Sequence, residues 1–142
     1  MLEIELANRQ TRHAIQRDSL MAAARLVLEH EGISRATLSI AVVSDKAIRQ
    51  LNRRYLQHDY ATDVISFLLE SGTGWLEGEI IVSADMAAAQ APTYDASLQD
   101  ELLLYVIHGT LHLVGYDDTT PAARQKMQAR QRRYLRCLQS PR

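Results

Sequence analysis

Ser97-Leu98-Gln99-Asp100-Glu101-Leu102-Leu103-Leu104-Tyr105-Val106-Ile107-His108-Gly109-Thr110-Leu111-His112-Leu113-Val114-Gly115 reads as one helix with both of its ends written into the sequence. Ser97, with Asp100 three residues on, resembles a capping box; Leu98 to about Val114 is the most apolar helical stretch of the chain, and Gly115 supplies a left-handed stop just past its end. Beyond it, Thr120 and Pro121 read as the cap and first residue of a basic terminal helix whose Met127, Tyr134, Leu135 and Leu138 face the core. Before it, a short Ala-rich helix from about Ala84 to Ala91 is stopped by Pro92. Glu79 to Ser83 and Asp63 to Leu69 have strand character, with Ser71-Gly72-Thr73-Gly74 as a loop between them. Leu38, Ile40 and Val42 alternate as an earlier strand, followed by a helix capped by Ser44 or Asp45 with the apolar row Ile48, Leu51 and Tyr55. At the start, Leu2 to Leu6 alternates apolar and acidic residues. Ile15, Leu20, Ala23, Ala24, Val27 and Leu28 then recur at helical spacing between about Thr11 and Glu31, with Gly32 as the stop. About four strands and about five helices, mixed without strict alternation, predict an α+β fold: one domain over residues 1–142, a small mixed sheet surrounded by helices.

Composition narrows the class. With 142 residues, 46% hydrophobic and 23% charged, the chain matches an ordinary globular domain and departs from collagen-like, disordered and membrane-spanning classes. Apolar runs such as Leu102 to Ile107 fall far short of the roughly 18 residues a membrane helix needs. The single cysteine, Cys137, excludes an internal disulfide and reads as a helix residue. With Glu3 and Glu5 interrupting the place of a secretory signal, the expected location is the cytoplasm. Net charge is only -1, yet Asp59 through Asp118 holds eleven acidic residues and no Lys or Arg, while residues 119–142 hold seven basic and no acidic ones. Such a split suits a cation-binding region flanked by basic arms that meet a polyanion, or simply solvated helix faces.

The chemistry lies in His108-Gly109-Thr110-Leu111-His112-Leu113-Val114-Gly115-Tyr116-Asp117-Asp118. Four residues apart on a helix, His108 and His112 project from the same face and can share one ion. Gly115 reverses the chain, so Asp118, six residues after His112, swings back as a third ligand; Asp117 is its rival and suits a capping role better. Two histidines and a carboxylate around an open position is an arrangement by which zinc makes hydroxide at neutral pH, and Fe(II) also fits such a facial site. These offsets match the HExxHxxGxxH pattern of metzincin peptidases, but Gly109 stands where those enzymes carry their glutamate base.

The segment HGTLHLVGYDD resembles the HGxLHLxGYDH signature of the YbeY family of metal-dependent endoribonucleases of ribosomal RNA maturation. Leu51 to Tyr55 and Asp59 to Phe67 are similar to that family's LNxxYRxxDxxTDVLSF, and Gly78-Glu79-Ile80 stands where it has a GDI-like turn. The resemblance spans about Leu51 to Asp118. It implies His108, His112 and Asp118 as catalytic metal ligands, with the aspartate replacing the family's usual third histidine and leaving the site one unit less positive. Leu56 occupies the place of the family's phosphate-engaging arginine, so that role falls to Arg53 or Arg54 one turn earlier, or to the metal alone. Ser66 is a candidate substrate contact beside Thr62 and Asp63, the last suited to orienting a ligand or closing a turn. His58 lies in a polar turn, and Trp75 is a candidate base-stacking residue or a core plug.

The implied partner is RNA, namely a precursor of small-subunit ribosomal RNA, with the ribosome or its assembly factors alongside and no membrane. The basic residues Arg9, Arg12, Arg17 and Arg25, or Arg130, Arg132, Arg133 and Arg136, are candidates to position the strand by its phosphates. Rival readings are a metallopeptidase-like hydrolase and a non-catalytic ribosome-assembly factor with a structural metal.

Overall fold

The computed structural model describes residues 1–56 and 62–139. Four strands form one sheet: β1 (Leu2–Asn8), β2 (Arg35–Val43), β3 (Val64–Gly72) and β4 (Trp75–Ser83), in the order β1-β2-β4-β3. β1, β2 and β4 run parallel, and β3 returns antiparallel on β4. The parallel pairs follow from the crossovers, because α1 (Arg17–His30) links β1 to β2 across one face. α2 (Asp45–Leu56), α3 (Ala84–Gln90), a 3-10 turn over Ala91–Tyr94, α4 (Leu98–Leu113) and α5 (Pro121–Gln139) complete the described chain. The α+β expectation, with about four strands and five helices, matches this architecture.

Alternation along β2 sends Ala36, Leu38, Ile40 and Val42 into the main core, where they meet Leu20, Val27 and Leu28 of α1 and Leu102, Val106 and Leu111 of α4. The opposite face carries a smaller cluster of Val43, Ile65 and Ile81 under Ile48 of α2. α4 lies against the sheet and is nearly buried all round, as its composition requires. The approach is close at two glycines. A Cβ on Gly109 would stand 2.9 Å from Ile80 Cγ2 and 3.3 Å from Val64 Cγ2, and one on Gly78 2.9 Å from Leu113 Cδ1.

Two boundaries differ from expectation. α1 begins at Arg17 rather than near Thr11, because Gln10 takes the backbone of the preceding segment out of helical bonding. Its Oε1 accepts from the His13 amide at 2.9 Å and its Nε2 donates to the His13 carbonyl at 2.8 Å, while the His13 ring contacts Asp85. The expected loop at residues 71–74 shrinks to a tight turn at Thr73 and Gly74, the latter at φ +74°, so Trp75 belongs to β4. There the indole packs against Gly72 and under the Arg35 guanidinium, 5.4 Å from the ring centroid.

Candidate metal centre

The capping box is present: Ser97 Oγ accepts from the Asp100 amide at 3.0 Å, and the Ser97 amide donates to Asp100 Oδ2 at 3.3 Å. At the other end of α4 the Gly115 amide donates to the His112 carbonyl at 3.1 Å and the Tyr116 amide to the Leu111 carbonyl at 3.0 Å, with Gly115 at φ +111°. These two bonds are those of a Schellman turn, which folds the chain back on the helix end. The reversal returns Asp118 to the histidines, so that one donor atom each of His108, His112 and Asp118 lies within 4.8 Å of the others.

The two rings meet edge to face with centroids 4.7 Å apart and their Nε2 atoms 3.1 Å apart. Two nitrogens bound to one zinc at 2.0–2.1 Å and a tetrahedral angle would be about 3.3 Å apart. The donor set and its spacing therefore fit a single divalent ion. Burial, and then the neighbouring His108, push the His112 imidazole below its ordinary value of 6.5, against the opposing pull of Asp118. A lowered pKa keeps that ring neutral near pH 7, the form that offers a lone pair.

Asp117 is engaged elsewhere. Its Oδ1 accepts from the Thr119 amide at 3.2 Å and from the Thr119 hydroxyl at 2.9 Å, and these bonds hold its carboxyl below the usual range. That local turn leaves Asp118 as the carboxylate aimed at the histidines.

The three donors open onto a cleft of about 460 Å³ whose other walls include Asn52 and Leu56 from α2 and Thr62, Asp63 and Ser66 at the start of β3. Asp63 Oδ1 accepts from the Val64 amide at 2.8 Å, a local bond to the residue that starts β3. Arg53 and Arg54 are exposed on α2, and among the described residues neither lines this cleft; Arg54 lies over the Tyr55 ring instead. His58 falls outside the described residues. Trp75 is at the far end of β4 from Ile80 and Val82, the part of that strand beside the cleft. Of the basic residues, Arg17 and Arg25 donate to backbone carbonyls of β1, Arg12 approaches Asp85 at 3.7 Å, and Arg130 approaches Glu31 at 3.8 Å. Arg9, Arg132, Arg133 and Arg136 are exposed.

Two supporting groups escape a reading of the motif alone. Gln131 on α5 accepts through Oε1 from His108 Nδ1. Glu31, at the end of α1, accepts from the Tyr116 hydroxyl at 2.9 Å and from the Tyr134 hydroxyl, tying the loop that carries Asp118 to two helices. Gln131 did leave a signal, since Met127, Gln131, Tyr134 and Leu138 form one helical stripe and only Gln131 in it carries an amide.

The sequence matches the family described as Endoribonuclease YbeY over residues 5–139. A relative of that name from Salinibacter ruber is 42% identical over 123 residues, 78% of each chain. Another from Chlorobium chlorochromatii is 37% identical over 139 residues, 98% of this chain and 88% of the relative. Among solved structures, TM1509 from Thermotoga maritima aligns with a TM-score of 0.68 at 27% identity, covering 97% of this chain and 89% of that one. The match to the family runs through both halves of the sheet, the helix that bears the histidines and the turn that returns the aspartate, and the chain belongs to the endoribonuclease YbeY family.

Proposed function

We propose that this protein is a metal-dependent endoribonuclease that hydrolyses phosphodiester bonds of single-stranded RNA, and that residues 1–142 act as one metallohydrolase domain. The observation that carries the reading is the convergence of His108, His112 and Asp118 on one point at the edge of an open cleft. A zinc or similar divalent ion held there supplies Lewis acidity toward a phosphate oxygen and a water acidic enough to be hydroxide near neutral pH. The protein's own part is to hold three donors in fixed geometry and leave the cleft side free. Ser66 at the wall offers a hydroxyl to phosphate or ribose oxygens. With Leu56 lining the cleft in place of a guanidinium, positive charge at the scissile phosphate would have to come from a bound ion, while Arg53 and Arg54, exposed on α2, would meet the strand farther out.

Gly109 bears on the rival peptidase chemistry. A Cβ at this position would already press on the Ile80 and Val64 side chains, so the position serves packing and has no space for a carboxylate base. Family membership is what supports RNA as the substrate class, and we propose a small-subunit ribosomal RNA precursor as the natural target, ribosomal or assembly-factor partners, and the cytoplasm as the compartment. Among the described residues, no helix is long and apolar enough to cross a membrane.

The test is cleavage of single-stranded RNA and of casein by purified protein, each with and without chelator, alongside His112→Ala. Chelator-sensitive RNA cleavage that His112→Ala abolishes, with casein intact, is the expected result. RNA left intact by wild type carrying a stoichiometric divalent ion would overturn the nuclease reading. End-group analysis separates the two nucleophiles, because attack by the ribose 2′-hydroxyl leaves a cyclic phosphate and attack by water does not.

A further inference from the structure

We propose that Gln131 is a positioning residue that sets the tautomer of His108 and so turns its Nε2 lone pair toward the metal position. The inference rests on the metal reading of the site and is independent of RNA being the substrate.

The argument begins with the ring. A neutral imidazole carries one hydrogen, and the partner of one nitrogen decides which nitrogen holds it. His108 Nδ1 faces Oε1 of Gln131, a pure acceptor, so the hydrogen belongs on Nδ1 and Nε2 is left with its lone pair. That lone pair points to His112 Nε2, 3.1 Å away, on the side where Asp118 also brings its donor. In the other amide orientation the Gln131 NH₂ would donate to Nδ1, the ring hydrogen would move to Nε2, and the metal position would be blocked by a proton.

Gln131 is well placed to hold this orientation. It is half-buried on α5, between Met127 and Tyr134, both buried in the main core, and Tyr134 is in turn bonded to Glu31. The glutamine therefore reaches His108 from a helix anchored one turn before and one turn after it. A neutral amide fixes the ring without the added basicity that a carboxylate partner confers on a ligand histidine.

Gln131→Met removes the acceptor at nearly constant shape, and Gln131→Glu restores one. In metal-free protein above neutral pH, long-range nitrogen–proton correlation spectra should place the His108 ring hydrogen on Nδ1 in wild type and in Gln131→Glu, and move it wholly or partly to Nε2 in Gln131→Met. Zinc affinity by chelator competition should fall roughly 10- to 100-fold in Gln131→Met and recover in Gln131→Glu. A wild-type ring hydrogen on Nε2 overturns the proposal even if the methionine variant fails to fold, and so does a folded Gln131→Met with unchanged ring spectrum and affinity. Wild type that binds no divalent ion defeats the metal reading itself and the proposal with it. Absence of RNA cleavage by zinc-loaded protein touches only the nuclease reading.

Discussion

On the proposed metal reading Asp118 is the third ligand, where the signature it resembles has a histidine, and the exchange has a direction. Histidine in its place would leave a bound divalent ion one unit more positive and its water more acidic. Asp118→His should therefore keep the ion and move the acidic limb of the pH–rate profile to lower pH, measured as kcat/KM against pH on a single-stranded RNA. Asp117→Ala should retain the ion, because that carboxylate is spent on Thr119, with a small fall in the urea midpoint from the lost turn bonds. His112 makes stability pH-dependent in the metal-free protein. Its folded pKa lies below 6.5, so below that value the unfolded chain takes up the proton first. The stabilising contribution is whole above the unfolded pKa and is lost as pH falls through it toward the lower folded value. Denaturation midpoints of apo protein across this window should drop more for wild type than for His112→Gln.

At the level of elements, the crossing of α4 over β4 is the tightest joint near the site. Gly109→Ala places a methyl 2.9 Å from Ile80 Cγ2, and overpacking of that kind costs about 1–3 kcal/mol, readable as a lowered Tm. Helix α4 was legible because each of its signals is local: a capping pair three residues apart, an apolar body, and a glycine stop followed by an aspartate at a fixed offset. The first helix was not, because what delays its start to Arg17 is a side-chain clasp by Gln10 and a contact between His13 and Asp85, 72 residues apart in sequence. The β3–β4 hairpin is tighter than its sequence implies for a different reason. Ser71, Gly72, Thr73 and Gly74 are all turn-forming types, and only pairing of Gly72 with Trp75 shows that two of the four complete the turn. Likewise His108 and His112 were readable from one helix, whereas their support from Gln131 and Glu31 depends on where α5 and α1 dock.

Across the whole molecule, the charge separation in the sequence sets an acidic middle, which contains Asp118, apart from a basic α5. Arg132 and Arg133 are exposed on that helix. If they track phosphates, RNA binding should weaken with added salt, and Arg132→Ala/Arg133→Ala should flatten the dependence of log affinity on log salt by up to about two phosphate equivalents. Fluorescence anisotropy with a labelled oligonucleotide at several salt concentrations measures that slope, and parallel lines for wild type and variant would remove α5 from the binding surface.

The Schellman turn at Gly115 gives the three donors unequal mechanical footing. Two stand on a buried helix with the sheet behind them, while the third projects from the exposed end of the turn that follows it. If a cation sits there, exchanging that exposed donor for another leaves the buried core alone, so the choice of ion can drift one codon at a time without the fold having to be renegotiated.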